Sequence, residues 1–99
     1  MTERNIEIAR QEGTEFRSVR LSLKDDGAIV MDAQDMGPSV DEVWGDSDYE
    51  FWVHVPPAAV GMFAFELLRE KYLGQSGAVD AFRSWCTAHG IEHKFESLA

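Results

Sequence analysis

The chain holds a single cysteine, Cys86, and no lysine or arginine anywhere between Asp25 and Leu68. One thiol cannot close an internal disulfide, which fits a reducing compartment, and a free cysteine usually serves as a small buried apolar residue. No window approaches the ~18 consecutive apolar residues that span a bilayer, and the opening Met1-Thr-Glu-Arg-Asn-Ile-Glu lacks the apolar run of a secretory leader. A cytoplasmic location is therefore expected. There is also no Ser-His-Asp order around a nucleophile elbow, no activated Cys-His pair, no P-loop and no dinucleotide-binding glycine fingerprint. These absences lead to the expectation of a non-enzymatic protein without a cofactor.

What is present is negative charge. Eighteen acidic side chains against nine basic ones leave a formal charge of -9 at pH 7 on 99 residues. With 44% hydrophobic and 11% aromatic residues there is still enough apolar material for a core. Residues 1–99 are expected to form one acidic domain. The charge is local. Asp25, Asp26, Asp32, Asp35, Asp41, Glu42, Asp46, Asp48, Glu50 and Glu66 all fall in the stretch that has no base, and the flanks together are close to neutral. Half of these acids lie within residues 41–50. Such a surface repels nucleic acid and anionic membrane and suits a basic surface on a protein.

The apolar pattern predicts an α+β fold. Ile6 and Ile8, then Val19, Leu21 and Leu23, alternate with polar neighbours on either side of the turn Gln11-Glu12-Gly13-Thr14, which reads as a hairpin. Asp25-Asp26-Gly27 marks a second tight turn, because glycine supplies the positive φ that a short loop needs. A third strand is expected over 28–33. Gly37-Pro38 ends it, and Ser39-Val-Asp-Glu42 has the capping-box spacing for one helical turn up to Gly45. A fourth strand over 46–55 places Tyr49, Phe51, Val53 and Val55 on one face and Asp48, Glu50, Trp52 and His54 on the other. Pro56-Pro57 opens a helix with Val60, Phe63, Ala64, Leu67 and Leu68 as its buried stripe, ending at Gly74. A second helix over 76–90 buries Val79, Phe82 and Cys86 or Trp85. Ile91, His93 and Phe95 then alternate as a fifth strand. The order β-β-β-short helix-β-α-α-β predicts a mostly antiparallel sheet of about five strands with two helices packed on one face.

Three constellations could carry chemistry. The run Cys86-x-x-His89-x-x-x-His93 offers three zinc-type ligands, against the alternative that His89 caps the helix and His93 joins the core. The carboxylates Asp46, Asp48 and Glu50, with Asp41 and Glu42 just upstream, crowd one strand face. They lack the glycine and distal glutamate of a calcium loop, and a five-stranded domain offers little wall for a glycosidase cleft. They read instead as a solvated acidic edge or as a docking surface for Lys and Arg. Trp52, with Trp44, is either an exposed anchor ringed by charge or a small satellite core.

The segment Gly37-Pro38-x-Val40-x-Glu42-x-Trp44-Gly45-Asp46-x-Asp48-Tyr49-Glu50 resembles one found in a family of small acidic bacterial proteins with no assigned activity. That resemblance carries over no site residue. The leading expectation is a protein-binding module, of inhibitor or antidote type, that uses Asp41, Glu42, Trp44, Asp46, Asp48, Glu50 and Trp52 to dock on a basic, nucleic-acid-binding surface of a partner. The alternatives are a small-ligand or zinc domain built on Cys86, His89 and His93, and a structural homodimer. A monomer or a homodimer is expected, with no direct contact to nucleic acid or membrane.

Overall fold

The computed structural model describes residues 3–38 and 48–98. Four strands, β1 (Arg4–Gln11), β2 (Phe16–Leu23), β3 (Ile29–Met36) and β4 (Asp48–Val55), precede helices α1 (Pro57–Tyr72) and α2 (Ala78–Ala88). The strands pair antiparallel in chain order as β1-β2-β3-β4. The chain divides into two compact units, Met1–Ala64 and Phe65–Ala99.

In the first unit the turns follow from the glycines. Gly27 sits at φ +93° and donates its N–H to the Lys24 carbonyl at 2.9 Å, while the Asp26 carboxylate accepts from the Ala28 N–H at 2.9 Å. The Asp-Asp-Gly signal thus closes the β2–β3 hairpin as expected. Gly37, at φ +138°, leaves β3 so close to the β1–β2 loop that a Cβ there would stand 2.7 Å from the Thr14 carbonyl oxygen. Only glycine fits both the conformation and the space.

Cross-strand register sorts the side chains onto two faces. On one, Ile6, Leu21, Met31 and Val53 form a row across all four strands, beside a second row of Ala9, Val19, Ala33 and Phe51. On the other, the rows are Glu7, Arg20, Asp32 and Trp52, then Arg10, Ser18, Gln34 and Glu50. The regular alternation of Ile6 and Ile8 fails locally, because the register shifts between Glu7 and Ala9. A bulge adds one residue to an edge strand and turns it away from further pairing.

Several expectations are corrected. Residues 91–98 form no strand. Gly90, at φ +66°, ends the helix and turns the chain so that the Ile91 N–H donates to the Cys86 carbonyl at 2.9 Å. The tail continues beside α2, with the Arg83 guanidinium 4.1 Å from the Phe95 ring centroid. The sheet therefore has four strands and not five, because a period of two also describes an extended tail held by its own helix. Of the expected buried stripes only Cys86 is buried. Leu67 is 50% exposed on α1, and Val79 is 70% exposed on α2, where Cys86 alone is buried. On the apolar sheet face Val53 is 69% exposed, whereas cover by the helices was expected there. The short helical turn expected over 39–45 lies outside the described residues.

Candidate protein-binding face

The polar face of the β3–β4 half-sheet is the densest grouping of predicted site residues that the structure describes. Strand alternation puts Asp48, Glu50, Trp52 and His54 on it together, and the register adds Asp32 directly opposite Trp52 and Gln34 opposite Glu50. Trp52 is 64% exposed. Its neighbours two residues away on β4 are a carboxylate and an imidazole, with a third polar group across the strand. The Gln34 side-chain amide donates to the Asp48 carboxylate at 3.0 Å. Neither β3 nor β4 contains a Lys or Arg, and among the described residues no base forms an ion pair with Asp32, Asp48 or Glu50.

The other half of the same face is neutralised internally. Glu7 accepts from Arg10 at 3.0 Å and from the Ser18 hydroxyl at 2.8 Å, and the Arg10 guanidinium holds its carboxyl below the usual carboxylate range. The Asn5 amide donates to the buried Ser22 hydroxyl at 2.8 Å, and Arg20 donates to Asn5. On the opposite face Arg17 makes a two-pronged bond to Asp35, at 2.5 and 2.6 Å. That guanidinium likewise holds Asp35 below its ordinary range.

Beyond Arg17 on that face, Val19, Leu21, Ile29, Met31, Phe51 and Phe63 line a groove of about 450 Å³. Its walls are almost wholly apolar, and its one cation is already committed to Asp35 and lies 5.5 Å from the Phe51 ring centroid. It offers shape without groups that would orient a polar substrate.

Cys86, His89 and His93 do not converge. The His89 ring stacks on Trp85 at 3.9 Å and shares a hydrogen bond through Nδ1 with the Trp85 carbonyl at 2.8 Å. His93 bonds through Nδ1 to the Ile91 carbonyl at 2.7 Å and is exposed, whereas a place in the core was expected for it. Among the described residues no three His, Cys, Asp or Glu side chains are grouped to hold a metal ion. Asp41, Glu42, Trp44 and Asp46 lie outside the described residues. Among the described residues no helix is long and apolar enough to cross a membrane.

Asp32 and Gln34 were missed as site residues. Their presence depends on strand pairing, which the turn Asp25-Asp26-Gly27 implies for β2 and β3 but which nothing local fixes for β3 and β4. No family model, curated protein or solved structure matches the chain.

Proposed function

We propose that the protein is a non-enzymatic binding module whose acidic β3–β4 face docks on a basic surface of a protein partner. The observation that carries this reading is Trp52, 64% exposed in register with Asp32 and flanked by Glu50, on two strands that have no base of their own. Uncompensated carboxylates raise the local negative potential and steer a cationic partner, and an exposed indole amid them supplies the apolar anchor and a stacking surface for arginine. Carboxylates in a row compete for Lys and Arg side chains that otherwise hold phosphates. The partner class is therefore a protein with a nucleic-acid-binding surface, and the module acts by occupying that surface. Asp41, Glu42, Trp44 and Asp46 complete the set of partner-binding residues in this reading.

Immobilised protein offered to an extract of its source cells tests the idea. A partner retained at low salt, released as salt is raised and not retained by the variant D48K/E50K/W52A is the expected result. Retention of the same proteins by both forms, or retention indifferent to salt, would count against it.

A further inference from the structure

We propose that a second copy of this chain pairs with the outer edge of β4, antiparallel about a two-fold axis, joining two four-stranded sheets into one of eight. β4 is an end strand of the sheet, and among the described residues no strand pairs with its outer side. Its register against β3 runs unbroken from Val55 opposite Ile29 to Asp48 opposite Met36. It carries no bulge, no proline and no Lys or Arg, and its only charged side chains, Asp48 and Glu50, are ones that its own reversed strand can pair.

The occupant follows from the charge order along the strand. Asp48 and Glu50 stand near one end and His54 near the other, all on the polar face. Reversing the strand about Phe51 sets Asp48 across from the partner's His54, and reversing it about Trp52 sets Glu50 there. In either register a carboxylate faces an imidazole whose N–H can donate to it. Unshifted parallel pairing would instead set acid beside acid. The strand is thus complementary to its own reverse, the requirement of a two-fold interface.

On the apolar face, Tyr49, Phe51, Val53 and Val55 would continue across the seam into the same four residues of the second copy. There they gain cover for Phe51 and Val53, which are 37% and 69% exposed. An antiparallel seam about a two-fold axis has that axis normal to the sheet, so both copies present Trp52 on the same side. The pairing does not depend on the proposed function and is measured without any partner.

Sedimentation equilibrium on the full chain tests it, with circular dichroism to confirm folding, since Glu50 and His54 are exposed. The expected mass is twice the 11.2 kDa of one chain. His54→Glu places like charges opposite one another twice in the symmetric seam and should raise the dimer dissociation constant about tenfold. The variant D48K/E50K/H54E restores opposite charges and should recover the dimer. A wild-type monomer throughout the accessible concentration range would overturn the proposal. So would a dimer unmoved by His54→Glu, which would point to the apolar face as its interface, or a triple variant that stays monomeric.

Discussion

β1 and β4 close the same sheet, yet only β1 combines a bulge with basic side chains, two devices that keep an edge single. Its register breaks between Glu7 and Ala9, and Arg4, Glu7 and Arg10 project from it, with Arg10 gripping both Glu7 and Glu12. β4 is regular throughout, and among the described residues no base forms an ion pair with its carboxylates. The difference teaches where the molecule expends its charge. On the β1 side acids and bases are consumed in the fold, which leaves little potential for a partner, whereas on the β4 side the acids remain available.

Breaking the β1 side should cost stability. The largest effect is expected from Gly37→Ala, which forces a Cβ against the Thr14 carbonyl oxygen in a positive-φ conformation. A loss on the order of 3 kcal/mol should appear in urea unfolding. Trp52→Ala on the β4 side should do the reverse. Its unfolding free energy should move by less than about 0.5 kcal/mol, while affinity for the captured partner falls about thirtyfold, as for an interface anchor.

Salt sharpens the comparison further, because the two proposed associations should respond with opposite sign. Raising sodium chloride screens attraction to a basic partner and weakens that complex. It also screens repulsion between two acidic chains and so should tighten the β4 seam, as sedimentation in a salt series would reveal. The smallest effect concerns pH. Asp35 and Glu7 have folded-state pKa values lowered, chiefly by hydrogen bonds from Arg17 and Arg10. Their contributions are therefore present above the ordinary carboxylate range and lost as pH falls through the lowered values. Asp35→Asn should slightly flatten the decline of the thermal midpoint at acid pH, the effect being small for so exposed an arginine partner.

Much of this was legible in the residues, and the failures have physical causes. Asp25-Asp26-Gly27 and Pro56-Pro57 announce a turn and a helix start because glycine and proline restrict the backbone by themselves. Alternation along β4 correctly grouped Asp48, Glu50 and Trp52, since strand periodicity is local. The β1 bulge was hidden because Ile6 and Ile8 look regular until β2 is beside them. Asp32 entered the site only through pairing with β4. Ile91, His93 and Phe95 misled for a related reason: alternation records extended backbone, and Gly90 had already committed that backbone to α2.

Among the described residues those that the fold buries are all small: Ala28, Ala33, Cys86, Ser18 and Ser22. Heat capacity on unfolding grows with the apolar area newly exposed to water, so a chain with so little hidden should have a modest increment for its length. Its free energy of folding should then vary gently with temperature, a flat dome in place of a steep one. Conserving fold through warm and cool conditions would owe more to that shallow curvature than to a high summit.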